Sequence, residues 1–514
     1  MSTPEFKFSM DNKRIAKNTI LLYMRMILAM GISLYTSRVV LAQLGVTDYG
    51  VYNVVGGVVA MFSVLNSAMA GSTQRYLTFE LGKNDTNRLN IVFNTGIQTH
   101  LLIALIVVII TETFGLWFLN HEMKIPLDRM DAAHWVFQFS ILSMVISFLN
   151  IPYTALIIAY ERMSAFAYIS IVEVLLKLGV AFLLIVSPFE KLEFYALLIF
   201  LCSLIIRFCY WHYCSKNFET SRLRRIFEPK LFKEMFSFAG WGLFGQLASM
   251  GSTQGVNVLL NVFFGPTVNA ARGIAVQVQS AVTQFSINFQ TAVNPQITKN
   301  YASSHFAEMH ELMYRSAKFS FFLLYALSLP IMIEAPFILN VWLTEVPEYS
   351  VTFLRIILWI TIIDAVANPL MVAASASGKI KKYQSIIGCL LLSIVPIAYF
   401  VLKLGGNPSS AFIVHLVICA IAFIARIYIV APLTKISPSL FFKKVVMRCI
   451  CVGAVSVIIP VSLYVSMEDS FIKDILVILL SIFSVCVTSY YWGLDKRERQ
   501  YFKDVISKYK RNLI

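Results

Sequence analysis

Charge is scarce in this chain. Only 14% of its residues are Asp, Glu, Lys or Arg, against about 25% in an ordinary soluble domain. Acids are the scarcer sign: 28 against 43 basic residues, for a formal net charge of +15. The 7 histidines are scattered, with no metal-ligand spacing such as HExxH. No glycine-rich phosphate loop or Walker A motif occurs, so the chain does not bind ATP in that way. The cysteines, Cys202, Cys209, Cys214, Cys389, Cys419, Cys449, Cys451 and Cys486, lie in or beside apolar stretches. They form neither a disulfide framework nor a zinc site, and read as small apolar packing residues. No loop is long enough for a catalytic domain. Together these absences argue against an enzyme, and no cofactor or metal is expected.

What is abundant is apolar length. The 514 residues are 58% hydrophobic, with a mean hydropathy of +0.71. A bilayer-spanning helix needs about 20 consecutive apolar residues, and in lipid each such run must satisfy its own backbone hydrogen bonds. Fourteen segments qualify. The first six are 15–44, 49–81, 89–119, 133–158, 164–186 and 192–214. The next six are 235–264, 266–301, 312–343, 351–376, 383–404 and 410–431. The last two are 441–465 and 472–492. The expected fold is an all-α polytopic membrane protein. The polar, basic stretch 1–17 precedes a segment too long for a signal peptide, so no cleavage is expected.

Basic residues alternate in density between loops. Lys7, Lys13, Arg14 and Lys17 precede segment 1, and Lys83 and Arg88 follow segment 2. Lys216, Arg222, Arg224, Arg225, Lys230 and Lys233 follow segment 6, and Lys379, Lys381 and Lys382 follow segment 10. Lys435, Lys443 and Lys444 follow segment 12, and the tail adds Lys496, Arg497, Arg499, Lys503, Lys508, Lys510 and Arg511. The odd loops hold only Lys124, Arg129, Lys191 and Lys403. The positive-inside rule then puts both termini and the even loops in the cytoplasm. Because the basic residues lie in loops on one side rather than along a groove, no nucleic-acid partner is expected.

The chain repeats itself. Gly45-Val-Thr47, between segments 1 and 2, corresponds to Gly265-Pro-Thr267, between segments 7 and 8. Asn150-Ile-Pro152 in segment 4 corresponds to Asn368-Pro369 in segment 10. Segments 1–6 therefore match segments 7–12. Six helices per half keeps both halves in one orientation, which predicts a pseudo-two-fold axis along the membrane normal and a cavity where the halves meet. The expected division is 1–227, 228–437 and 438–514.

Ionisable side chains inside spans are costly and mark candidate sites. Arg25 and Arg38 in segment 1 and Arg272 in segment 8 keep their charge when buried and suit a phosphate through a bidentate fork. The plainer reading is snorkelling to the interface or capping of a carbonyl. Arg75, Arg207 and Arg426 lie towards cytoplasmic ends, where snorkelling accounts for them. Glu173 and Lys177 stand one turn apart and can pair or relay a proton. Asp364 has no partner within its own segment and is the best acidic candidate for ion coupling. Glu112 and Glu334, near outer ends, are expected to be solvated. Segment 8 carries two polar stripes: Gln277, Gln284, Asn288 and Thr291, and Arg272, Gln279, Thr283, Ser286 and Gln290. Either stripe can be inter-helix glue or can line a wet path toward sugar hydroxyls. Proline kinks are expected after Asn150, Asn294 and Asn368.

The run from Ser37-Arg38 through Gly45-Val-Thr47-Asp-Tyr-Gly50 to Gln74-Arg75-Tyr76, with Pro152-Tyr-Thr-Ala and Tyr160-Glu161-Arg162, resembles the Wzx-type polysaccharide flippases of the MOP superfamily. That superfamily also holds the lipid II flippases and the MATE exporters. The resemblance spans nearly the whole chain. It implies two V-shaped six-helix lobes with two extra helices, and a cationic cavity lined by helices 1, 2, 7 and 8. It also implies a lipid-diphosphate-linked oligosaccharide as substrate. Cavity arginines of lipid II flippases fall on Arg38 and Arg272. The family's helix 1 arginine is often followed by an acid, whereas Val39 stands here, and helix 1 has none of the coupling acids of MATE exporters. The expectations are a flippase in a bacterial inner membrane, with membrane lipids, polymerase and export machinery as partners. H+ or Na+ is a possible coupling ion. The rival is a cation-coupled drug exporter.

Overall fold

The computed structural model describes residues 4–123, 125–224, 226–343, 345–496 and 498–500, and all but the side chains of 4–14, 34, 46 and 60 within them. Among the orientation residues, Lys124, Arg225, Arg497, Lys503, Lys508, Lys510 and Arg511 lie outside the described residues, as do the side chains of Lys7, Lys13 and Arg14.

Helices follow one another along the chain. They are α1 (Ile15–Gly45), α2 (Thr47–Val59 with Ser63–Lys83), α3 (Thr86–His121), α4 (Leu127–Ala159), α5 (Met163–Val186) and α6 (Lys191–Asn217). Then come α7 (Pro229–Phe264), α8 (Pro266–Ala302), α9 (Phe306–Ile333), α10 (Ser350–Ala376), α11 (Lys381–Lys403), α12 (Pro408–Thr434), α13 (Pro438–Ser466) and α14 (Phe471–Gly493). Among the described residues no strand occurs. Eleven of these helices are long and apolar enough to cross a membrane, and α2 makes a twelfth if its two bent parts are one span. The expectation of fourteen spans is not fully met by this measure. α7 and α8 have the length, 36 and 37 residues, but α8 is broken up by amides and hydroxyls.

Helix ends are set locally. Asp85 accepts the Arg88 N–H at 2.8 Å and starts α3. Asn407 and Ser470 cap α12 and α14 in the same way. Asn84 and Lys435, with φ of 58° and 59°, stop α2 and α12 in the left-handed conformation.

Two segments expected to be continuous are broken. α2 bends by 47° after Val59, where Phe62 N–H turns to the Val59 carbonyl, a tighter i→i−3 bond. Segment 9 ends at Ile333, and a separate short helix, Ala335–Trp342, begins with Pro336 in its first turn. Proline starts a helix readily but cannot continue one without losing a hydrogen bond. Glu334 sits at this break and is 2% exposed, so it is not the solvated residue the sequence suggests. Pro152, Pro295 and Pro369 each lie inside a helix that continues past them.

Burial, with Asp474 adding to it and Lys473 opposing, pushes the Glu334 carboxyl from 4.5 up to about 7. Between these values the folded chain holds a proton that the unfolded chain has lost. Stability therefore falls as pH rises through that window and levels off above it. Melting measured from pH 4.5 to 7.5 should show this decline, worth at most about 3 kcal/mol. Glu334→Gln should flatten it.

Two turns matched in the sequence share one backbone conformation. Gly45 and Gly265 both take positive φ, 76° and 80°, at corresponding helix-to-helix turns. Only glycine enters this region without a Cβ penalty. Nothing lies within 4 Å of a Cβ placed at either, so the cost of a side chain is conformational. Gly265→Ala should lower stability by about 1–2 kcal/mol, read as a lowered melting temperature.

The chain divides into two compact units. The first comprises Met1–Leu247 and Thr291–Ser304, the second Ala248–Gln290 and His305–Ile514. α7 and α8 thus each contribute to both. In the first unit Val55, Val136, Phe137 and Leu192 make one apolar core, and Met69, Val107, Phe148 and Ala239 another. Val40 and Leu44 of α1 pack on Ala181 and Leu184 of α5. In the second unit α10 and α12 are joined by Phe353 and Phe412, whose ring centroids are 4.4 Å apart. α9 meets α13 where the Tyr325 hydroxyl donates to the Gly453 carbonyl at 3.1 Å.

Candidate functional site

In the second unit, the sequence of α8 places amides and hydroxyls at helical spacing, and the fold separates them by face. Gln279 Nε2 donates to Thr361 Oγ1 of α10 at 2.9 Å. Gln290 Nε2 donates to Ser320 Oγ of α9 at 3.2 Å and to the Ala365 carbonyl of α10 at 3.1 Å. This stripe holds three helices together. Gln277 and Gln284, on the other stripe, are exposed. Asn288 departs from them: it is buried and donates to the Gln284 carbonyl at 3.0 Å.

Arg272 lies on the packed stripe at 8% exposure. Its Nη2 donates to the Thr253 carbonyl of α7 at 3.0 Å. Among the described residues no carboxylate forms an ion pair with it. A guanidinium offers five N–H donors, so the charge and much of its donor capacity are left for an anion. Asp364, on α10, does have a partner: Arg426 of α12 donates to its Oδ1 at 3.0 Å. Asp364 is half exposed while Arg426 is nearly buried. Sequence order hid this pair, because the residues are 62 positions apart. Pairing also gives Arg426 a role beyond snorkelling.

In the first unit, Arg25 of α1 reaches α5. Its Nη1 donates to Ser170 Oγ at 3.3 Å, and its guanidinium lies 4.9 Å from the Phe166 ring centroid. A desolvated cation over an aromatic face is stabilised by the ring quadrupole. Arg38, further along α1, is exposed. Glu173 and Lys177 form the i,i+4 pair that their spacing permits, Nζ to Oε1 at 2.6 Å, and both line a cavity within this unit. Arg75 packs on the Tyr76 and Phe79 rings at 4.5 and 4.6 Å, and Arg207 on Tyr153 at 4.2 Å. Arg25 and Arg38 thus belong to one unit and Arg272 to the other.

Sequence reading overlooked two charged clusters. Glu161, between α4 and α5, has φ 59° and a fully buried side chain. Lys299 of α8 donates to its Oε1 at 2.6 Å, Gln296 to its Oε2 at 3.1 Å, and Asn18 to its carbonyl at 3.3 Å. In the second unit Lys318 of α9, 1% exposed, donates to Glu498 at 2.8 and 3.0 Å and to Asp495 at 3.3 Å. Charges inside expected spans were the available signal. Their partners lie more than 130 residues away, beyond any local pattern.

Comparison with known proteins places this architecture. The family model MatE matches residues 242–400, less than a third of the chain. A MATE structure in the bent conformation has a TM-score of 0.72 at 14% identity, covering 83% of this chain and 96% of that one. The MATE transporter ClbM in complex with Rb+ gives 0.67 at 14%, covering 83% and 96%. A MOP superfamily transporter from Pyrococcus furiosus, described as having a binding pocket of reverse polarity, gives 0.67 at 13%, covering 82% and 97%. No curated relative matches the sequence. The chain is therefore an all-helical, multi-pass membrane protein with the fold of the MATE transporters of the MOP superfamily.

Proposed function

We propose that this protein is a transporter that flips an undecaprenyl-diphosphate-linked oligosaccharide from the cytoplasmic to the periplasmic leaflet of a bacterial inner membrane. The product feeds O-antigen, capsule or exopolysaccharide assembly, and the polysaccharide polymerase and export machinery are its partners. Both termini are cytoplasmic. The substrate crosses by alternating access through a cationic cavity, with no covalent change. The observation that carries this reading is Arg272: buried, held by a backbone carbonyl at 3.0 Å, and without a carboxylate partner among the described residues. A buried, uncompensated guanidinium is costly unless an anion completes it, and a diphosphate does so with charge-assisted hydrogen bonds. Arg25 and Arg38 serve the same headgroup, and Gln277, Gln284 and Asn288 meet the sugars. An inside-negative potential helps expel the anion, by about 2.3 kcal/mol per charge per 100 mV. Asp364, Glu173 and Lys177 are the groups for coupling to H+ or Na+.

A MATE-like cation-coupled exporter is the second reading, favoured by the fold itself. It calls for acids free to take a cation, whereas Asp364 and Glu173 are each paired with a cationic side chain. Translocation of a labelled undecaprenyl-diphosphate oligosaccharide in proteoliposomes tests the choice. Arg272→Ala and Arg38→Ala should each slow transport about 10- to 100-fold, the loss of one or two charge-assisted hydrogen bonds. Export of cationic dyes with no lipid translocation, under an imposed ion gradient, would replace the flippase by the exporter.

A further inference from the structure

The linker between α6 and α7 is held along α3 by its main chain. Asn90, Asn94 and Gln98 stand at i, i+4 and i+8, so their amides form one stripe on α3. Asn90 Nδ2 donates to the carbonyls of Thr220 and Arg222 at 2.8 and 3.0 Å. Asn94 Nδ2 donates to the Arg222 carbonyl at 3.2 Å, and its Oδ1 accepts the Arg224 N–H at 2.8 Å. Gln98 Nε2 donates to the Ile226 carbonyl at 3.1 Å. Alternate linker residues are thus gripped as a neighbouring strand would grip them. Both ends are fastened too. Tyr160 stacks on Phe218 with ring centroids 4.3 Å apart, and Arg88 Nη2 donates to Glu228 Oε1 at 3.0 Å. All of these residues belong to the first unit.

Because the stripe takes main-chain groups, the linker side chains remain available. Arg222, Leu223, Arg224 and Phe227 are exposed, as are Lys216 at the end of α6 and Lys230 and Lys233 at the start of α7. Phe227, Phe232 and Phe236 extend the apolar surface, with successive ring centroids 5.5 and 5.9 Å apart. Acids do little to offset the charge. Glu228 is taken by Arg88, and Glu219 reaches Arg222 only at 4.0 Å.

Depth selects the partner. α3 has 36 residues. Its length of about 54 Å exceeds the hydrocarbon core of about 30 Å, so a centred helix leaves about 12 Å in the headgroup layer at each end. Asn90 and Gln98 stand about 6 and 18 Å from the Thr86 end, and their side chains lean back toward it. The linker therefore lies where headgroups meet acyl chains. Non-helical backbone at that depth needs its carbonyls answered, and the stripe answers them. A segment that only sets topology needs basic charge near a span and no fixed backbone. Arginines interleaved with apolar side chains on a fixed backbone suit an anionic bilayer surface.

We infer that this linker is a docking surface for the anionic phospholipid headgroups of the cytoplasmic leaflet. Arg222 and Arg224 take the phosphates, and Leu223 and Phe227 enter the acyl boundary. The choice of leaflet rests on the orientation in the flippase reading. The lipid contact itself does not depend on what is transported.

The test uses full-length protein in phosphatidylcholine nanodiscs carrying a trace of photoactivatable phosphatidylglycerol or phosphatidylcholine. Cross-links to residues 216–236 are read by peptide mass spectrometry. Wild type should favour phosphatidylglycerol there, and less so at high salt. Arg222→Ala with Arg224→Ala should cut the preference about 25-fold, about fivefold for each guanidinium. The stripe holds only the main chain of these residues, so the variant should fold. Arg222→Lys with Arg224→Lys should keep the preference, which tells lost charge from lost folding. Equal labelling of the wild type by both lipids, or a preference unchanged in the alanine variant, overturns the docking surface. So does displacement of the label by stoichiometric isoprenyl diphosphate but not by unlabelled phosphatidylglycerol, which would make the linker a substrate site. None of these results decides the flippase reading, which the translocation assay tests separately.

Discussion

Lys318→Met should lower the melting temperature of the purified protein by about 6–20 °C. Lys318 is 1% exposed and Glu498 is 4% exposed at the side chain, so the substitution leaves a buried carboxylate whose remaining compensating charge among the described residues is Arg315, 3.3 Å away. Breaking a buried pair from one side costs about 3–5 kcal/mol, and a domain of this size loses about 2–4 °C per kcal/mol. Asp495, facing Lys318 and Arg448 at 3.3 and 2.5 Å, is weakened as well. Burial alone would raise the Asp495 carboxyl, but Lys318 and Arg448 outweigh it and hold it below the usual range. Its contribution is therefore present above the ordinary carboxylate pKa and disappears as pH falls below that. The double variant Lys318→Met with Glu498→Leu should recover much of the loss, since an apolar pair can replace a buried ionic one. If the single variant melts like the wild type, the cluster does not fasten the residues after α14 to α9.

Gly82→Val should leave little folded protein. A Cβ at residue 82 would stand 2.7 Å from the Lys299 carbonyl oxygen, 2.9 Å from the Lys299 Cα and 2.8 Å from the Ala302 Cβ. Two of these three atoms are backbone, so no side-chain rotation relieves the clash. α2 and the end of α8 must separate. That separation also strains the Lys299–Glu161 ion pair beside it. Overpacking costs about 1–3 kcal/mol where side chains can shift, and more is expected here. The yield of monodisperse protein, with Gly82→Ala as the milder member of the series, measures it. Wild-type yield and melting from Gly82→Val would show that the two helices need not touch at this point.

Much of the architecture was legible because the bilayer simplifies the code. Long apolar runs can be satisfied only as helices, so their length and order predicted the eleven helices, or twelve with the bent α2, that are long and apolar enough to cross a membrane. The turns at Gly45 and Gly265 were legible too, since a reversal into positive φ favours a glycine in the sequence. The breaks at residues 61–62 and at Glu334 were less legible. Each depends on one local hydrogen bond or one proline inside an otherwise uniform apolar run.

The sequence alone determined the solvent, the helical class and the i,i+4 pairing of Glu173 with Lys177. All of these arise from interactions between near neighbours or between a segment and its surroundings. Tertiary structure alone decided which stripe of α8 is glue, that Asp364 is answered by Arg426, that Arg272 has a carbonyl and, among the described residues, no carboxylate, and that Glu161 and Glu498 are buried against lysines. Those facts depend on which side chains from distant positions converge in a low-dielectric interior. There an unpaired charge or orphaned acceptor is costly, and its partner is set by packing rather than by spacing along the chain.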